Sequence, residues 1–207
     1  MSNKKPQFIV FEGLDGAGTT TQAHKLHAYF TNQGANSFLT YEPTADPIGS
    51  LIRDILTRAA KKDGQTYEVS QRAMTMLFSA DRLAHTTEIE AQRKVARVIC
   101  DRYVYSTLAY QTLDPSIDPE WVASLNSECA KPDLTIFLSV PVGVCLDRIG
   151  ARSEDRSVFE RRDLLETIAG NYARLQDLYA SHFGPLVTID GTQSPEAVHE
   201  EAISLVD

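Results

Sequence analysis

Short apolar runs alternate with longer stretches of helical period along the whole chain. The first run, residues 8–11 (FIVF), is followed by others at 37–40 (SFLT), 95–100 (VARVIC), 134–140 (LTIFLSV) and 186–189 (LVTI). Runs this short and uniformly apolar predict strands buried on both faces, the one at 37–40 being the weakest. Between and after them, helices are predicted over 20–32, 48–60, 68–92, 105–111, 119–129, 142–148, 163–183 and 195–206. Strand followed by helix, repeated, is the pattern of βαβ units, so the fold class expected is α/β with a parallel sheet. The least apolar stretch, 148–163 (RIGARSEDRSVFERRD), is rich in arginine and suits a mobile excursion better than a packed strand.

No internal repeat, low-complexity tract or Gly/Ser linker interrupts the pattern, and 207 residues fit one α/β domain with a lid grown from within at about 148–163. A hydrophobic share of 43% and a charged share of 23% exclude disorder. Twenty Lys and Arg against 28 Asp and Glu give a net charge of −8, with no long basic run, which disfavours a nucleic-acid polymer as partner but leaves room for a small anion held by local arginines. The three cysteines have neither disulfide-framework nor zinc spacing, and the histidines show no metal spacing. With no leader-like start and no long apolar span, no membrane association is expected and a cytoplasmic location follows by elimination.

The first strand runs directly into Gly13-Leu14-Asp15-Gly16-Ala17-Gly18-Thr19-Thr20-Thr21, where a helical pattern begins. Glycines at 13, 16 and 18 let the backbone turn its N–H groups toward a phosphate at the positive end of the following helix, and the Thr20 hydroxyl is placed to ligate Mg²⁺. The P-loop pattern GxxxxGK[ST] is met at Gly13, Gly18 and Thr20 but fails at Thr19, which stands where the lysine belongs. That lysine is a point charge for the β- and γ-phosphates, so its loss has to be answered by other cations. Lys25 is a poor substitute, since it lies ~9 Å further along the helix axis.

At the end of the third strand stands Asp101-Arg102-Tyr103, an acid suited to Mg²⁺ through water and an arginine suited to a phosphate, at the sheet edge where ligands bind in open α/β folds. Glu42-Pro43 follows the second strand, Arg53 lies on the next helix, and Phe78 and Arg82 share a face of the long third helix, where they could offer a ring and a donor fork to a base. Each alone is a weak signal: a strand-end ion pair, or a core aromatic beside a snorkelling arginine, would look the same.

Together these motifs resemble the thymidylate kinase family. The resemblance is carried in order by FEGLDGAGTTTQ (11–22), YEPT (41–44), Ile52-Arg53, MLFSADR (76–82), DRYVYSTLAYQ (101–111), KPDLTIFLSVPVGV (131–144) and the tail from Ile189 to Pro195. It implies a three-layer P-loop sandwich with a five-stranded parallel sheet flanked by helices, and transfer of the ATP γ-phosphoryl group to dTMP. ATP and Mg²⁺ are the cofactors implied, and a homodimer packed through helices is the family's assembly. By resemblance, Gly13 through Thr21 cradle the ATP phosphates, while Asp15, Thr20 and Asp101 arrange Mg²⁺. Arg53 and Arg102 hold the acceptor phosphate, and Phe78 stacks on thymine while Arg82 and Gln111 hydrogen-bond its edge. Ser106 and Thr107 line the same pocket, Tyr110 crowds the sugar 2′ position, and Glu42 and Pro43 face the sugar and phosphate.

The catalytic set expected is Asp15 and Arg102 with lid arginines. Arg148, Arg152 and Arg156 are spaced at i, i+4 and i+8 and form one basic stripe if helical. Members without an arginine at position 16 or 17 carry the catalytic arginine in the lid, and this chain is of that kind; one of the three is expected also to cover for the absent lysine. Departures from the family pattern are Thr19, Tyr41, Thr44-Ala45 and a short segment after Gln111. They leave open a related kinase with another acceptor, or a catalytically silent nucleotide binder.

Overall fold

The computed structural model describes residues 5–58, 61–62, 64–150 and 156–207. In chain order its elements are β1 (Phe8–Gly13), α1 (Thr19–Asn32), β2 (Ser37–Tyr41), α2 (Pro47–Leu56), β3 (Lys61–Lys62), β4 (Gln65–Thr66), α3 (Gln71–Gln92) and β5 (Arg97–Asp101). They continue with α4 (Val104–Gln111), α5 (Pro119–Leu125), β6 (Leu134–Ser139), α6 (Val142–Ile149), α7 (Arg156–Phe183), β7 (Leu186–Asp190) and α8 (Pro195–Val206).

Five strands form one parallel sheet in the order β2-β5-β1-β6-β7. All six residues of β1 are buried. Because successive side chains of a strand point to opposite faces, both faces of the sheet are covered by helices, as the unbroken apolar runs require. The edge strands β2 and β7 are only partly buried, which is why 37–40 is the least apolar of the predicted runs. On α7 the buried positions Leu165, Ile168, Tyr172, Leu175, Tyr179 and Phe183 recur every three or four residues, one apolar stripe laid on the core. Burying each such side chain is worth about 1.5–3 kcal/mol.

Helix starts follow local capping chemistry. Ser70, Asp118 and Ser194 accept a main-chain N–H from the first turn of α3, α5 and α8, and proline stands at the start of α2, α5 and α8. Five expectations need correction. Helix α5 stops at Leu125 rather than at 129. Helix α2 stops at Leu56 rather than continuing to residue 60, and the chain then makes the small antiparallel pair β3–β4. Helix α3 begins at Gln71, where Ser70 can cap it, rather than at 68. Helix α7 begins at Arg156, seven residues before the predicted start. The proposed arginine stripe is broken, because α6 ends at Ile149 with Gly150 in the left-handed conformation (φ 78°), so Arg148 and Arg156 belong to different helices. Arg152 and the side chain of Arg156 lie outside the described residues.

The register brings the functional segments to one edge. Phe11 of β1 and Tyr41 of β2 both stand opposite Asp101 of β5, so the chain leaves β1, β2 and β5 side by side at Gly13, Glu42 and Arg102.

Candidate active site

The loop after β1 turns back at a residue that must be glycine: a Cβ on Gly16 (φ 84°) would stand 2.6 Å from the carbonyl oxygen of Cys145 on α6. Gly18 (φ 103°) is the N-cap of α1, yet no side chain caps that helix and a Cβ there would meet nothing within 4 Å. Uncapped N–H groups at a positive helix end, facing open space, make an anion cradle. The space is a cavity of about 420 Å³ lined by residues 15, 16 and 18–21 with Arg102 and Arg148. Thr19 is buried, and no ammonium lines this cavity among the described residues. Lys25 is paired with Glu196 at 3.0 Å and plays no part there.

Arg148 is docked on the loop. Its Nη1 donates to the carbonyl of Ala17 at 3.2 Å and its Nη2 to that of Gly191 at 2.9 Å. Five N–H bonds on a guanidinium leave three after those two. Beyond Arg148 a second cavity, about 270 Å³, opens between Gln22, Gly191 and Gln193, at the end of β7.

Thr20 donates its hydroxyl to Asp101 Oδ2, while Asp101 Oδ1 is buried with no hydrogen-bond partner. A hydroxyl, a carboxylate and adjacent phosphate space form an all-oxygen donor set of the kind Mg²⁺ takes together with substrate phosphates. No group of three or more His, Cys, Asp or Glu capable of holding a metal occurs among the described residues.

Arg102 sits at the junction. Its Nη2 meets Asp15 Oδ1 at 2.6 Å, and its Nη1 donates to the carbonyl of Gly13 at 3.0 Å and to Ser106 Oγ at 3.2 Å. Burial on its own lowers the guanidinium's pKa, but Tyr172, Tyr110, Asp15 and Glu12 around it raise it above its ordinary value, so the charge is secure. Asp15 and Arg102 line both the donor cavity and a further one of about 350 Å³ on their other side.

That third cavity is lined by Phe78, Arg82, Glu42, Pro43, Ser106, Thr107, Tyr110 and Gln111 together with Leu56 and Tyr103. Its floor is a buried polar network. Arg82, 1% exposed, donates from Nε to Glu42 Oε2 at 2.8 Å, from Nη1 to Asn126 Oδ1 at 2.6 Å and from Nη2 to Thr107 Oγ1 at 2.8 Å. Glu42 Oε1 meets His85 Nδ1 at 3.1 Å, and His85 Nε2 meets Thr40 at 2.8 Å, so this histidine is a packing residue. Gln111 Oε1 is buried without a partner. Burial pushes the Tyr110 phenol up to about 12, against the Arg102 charge and with Asp15, so it stays protonated.

Nine of the ten expected acceptor residues line this one cavity; Arg53 does not. Its Nη1 donates to the carbonyls of Pro43 (2.7 Å) and Thr44, and its Nη2 to Ser50 at 3.0 Å, so it braces the loop after β2. Glu42 has both oxygens engaged by Arg82 and His85 instead of turned to a sugar. The cavity with Gln22, Gly191 and Gln193 is not anticipated from the sequence. Its signal was available, since β7 ends at the same sheet edge as β1 and β5.

A family model described as thymidylate kinase matches residues 11–202. Among curated relatives, a protein of Methanocaldococcus jannaschii is 38% identical over 197 residues, covering 95% of this chain and 93% of its own. One of Pyrococcus abyssi is 37% identical over 201 residues (96% and 95%), and one of Thermococcus kodakarensis is 38% identical over 208 residues (97% and 97%). Each carries the name "Probable thymidylate kinase".

Proposed function

Since the chain belongs to the thymidylate kinase family, we propose that it transfers the γ-phosphoryl group of ATP to dTMP, giving dTDP, through a P-loop that works without its lysine. The observation that carries this reading is the Asp15–Arg102 pair at 2.6 Å, which forms the common wall of the phosphate cradle and the acceptor cavity. A group that reaches both nucleotides can bring an acceptor phosphate oxygen in line with a γ-phosphate. Such an oxygen is already a nucleophile, so the protein's work is positioning and charge neutralisation, with no covalent intermediate.

The ATP phosphates lie along residues 13–21, and the base lies toward Gln22, Gly191 and Gln193. Arg148, held between those two regions by main-chain carbonyls, takes over the positive charge that Thr19 cannot supply. Thr20, Asp101 and Asp15 suit Mg²⁺, which when bound neutralises charge on the β- and γ-phosphates. In the acceptor cavity Phe78 stacks on thymine, and Gln111 uses its unpaired oxygen on the base edge. Arg82 keeps to its network and offers the base at most the Nη hydrogens that network leaves free. Tyr110 fills the space beside the sugar's 2′ carbon and disfavours ribose. Arg102 grips the acceptor phosphate, and Arg53 is a second such group once it leaves the carbonyls of Pro43 and Thr44.

The chain is one domain whose segment 148–163 closes over ATP and excludes water. Met76 and Leu83, 56% and 50% exposed and seven residues apart on α3, share one helix face and present apolar side chains that suit the homodimer. The cytoplasm is the location proposed; among the described residues no helix is long and apolar enough to cross a membrane. The test is a coupled assay with ATP, Mg²⁺ and a panel of dTMP, dUMP, dCMP, dGMP and AMP. Turnover greatest with dTMP is expected; phosphorylation of none would refute the enzyme, and preference for a purine would refute the base assignment.

A further inference from the structure

Beneath the Arg102 turn lies a carboxylate that none of these roles uses. Glu12, in β1, is 0% exposed. Its Oε1 accepts the main-chain N–H groups of Tyr103 and Ser106, both at 2.9 Å. Its Oε2 accepts the hydroxyls of Ser106 at 2.6 Å and Tyr172 at 3.0 Å. Four donors fill the four lone-pair positions of an ionised carboxylate. Burial pushes the Glu12 carboxyl above the usual range, with Ser106, Arg102 and the two main-chain N–H groups working against that rise. A buried charge of this kind does little for net stability, since apolar side chains of similar volume commonly serve a fold as well.

Its partners share one destination. The Ser106 hydroxyl that Glu12 orients is also the acceptor of Arg102 Nη1 at 3.2 Å. Arg102 has φ 69°, a left-handed conformation that is strained for a residue with a side chain, and the N–H that follows it is held by Glu12 Oε1. Tyr172, 1% exposed, comes from the middle of α7. The carboxylate therefore joins the strand that feeds the phosphate cradle, the turn that carries Arg102 and helix α7.

We propose that Glu12 is a positioning residue for phosphoryl transfer: through Ser106 it fixes Arg102 against the phosphate cradle, and through Tyr172 it ties that arginine to α7. The inference rests on Arg102 gripping nucleotide phosphate as proposed above. In Glu12→Gln the amide oxygen still accepts the two main-chain N–H groups. Its NH₂ donates where Oε2 accepted, so it occupies the Ser106 oxygen that Arg102 uses. Arg102 then loses its Ser106 anchor and keeps only Asp15 and the carbonyl of Gly13, while the main-chain cradle for ATP is untouched.

The experiment measures steady-state kinetics with ATP and dTMP, and thermal melts, for the wild-type chain, Glu12→Gln and Tyr172→Phe. Expected for Glu12→Gln is a kcat about tenfold lower with an ATP KM within about twofold and a melt that still shows a folded chain. Tyr172→Phe, which loses one hydroxyl, is expected to lower kcat about threefold in the same pattern. Both variants retaining kcat within twofold, or kcat falling only with a lowered Tm and the folded fraction, would overturn the inference. Should Glu12→Gln not fold, Tyr172→Phe decides alone by the same criteria. A wild-type chain inactive on every monophosphate would overturn the kinase reading and this inference with it, whereas an active wild type with unimpaired variants overturns this inference only.

Discussion

The two halves of the site hold their ligands by different physics. The acceptor cavity is lined by Arg82, Glu42 and Thr107, side chains already locked in place: Arg82 to Glu42, Asn126 and Thr107, and Glu42 to His85. The proposed donor side is a main-chain cradle with no ammonium among the described residues, served by guanidinium groups from β5's end and from α6. Locked polar side chains reject a wrong base because a mismatch leaves a buried group unpaired. A cradle of backbone amides takes polyphosphate by charge and curvature, so one cation can be exchanged for another. On the proposed function, selectivity belongs to the acceptor half, and the donor half is expected to tolerate the loss of its lysine.

The largest effect is expected where the halves meet. Arg102→Ala should lower kcat by a hundredfold to about a thousandfold, as for other groups that bind developing charge, and melting should show the fold intact. An effect below tenfold would separate the halves and leave the junction without a role. Arg148→Ala is expected to cost about ten- to a hundredfold in kcat/KM for ATP while the dTMP KM stays within about twofold. On the acceptor side, Gln111→Leu should raise the dTMP KM about tenfold, read from initial rates at saturating ATP, and narrow the preference for thymine over cytosine. Smallest of all, Lys25→Ala should leave turnover within about twofold, because its exposed pair with Glu196 contributes little; a large loss would show that Lys25 reaches the phosphates after all.

Much of this was legible in the sequence because it is local. The apolar runs at 8–11, 134–140 and 186–189 gave strands, and the glycines of the first loop gave the cradle. The DRYVYSTLAYQ segment carried Arg102, Ser106, Thr107, Tyr110 and Gln111 into one cavity because a strand end and one short helix hold them all. What stayed hidden depends on distant partners or on very short elements. The Glu12–Tyr172 bond joins residues 160 apart in sequence, and no spacing rule reports it. Arg53 belongs to an expected motif, yet which carbonyls it finds depends on the path of the loop after β2. The pair β3–β4 has two residues per strand, too few to show alternation. The arginine stripe failed at one residue, Gly150, whose left-handed turn ends α6 before the spacing can repeat.

The central claim is that Arg148 stands in for the missing lysine, and a double-mutant cycle on positions 19 and 148 tests it most directly. Arg148→Ala should be severe in the natural background, Thr19→Lys alone should raise kcat/KM for ATP, and the same Arg148→Ala change in the Thr19→Lys background should cost several-fold less. Equal losses in both backgrounds, or none in either, would mean that the guanidinium of Arg148 does not supply the charge that Thr19 lacks.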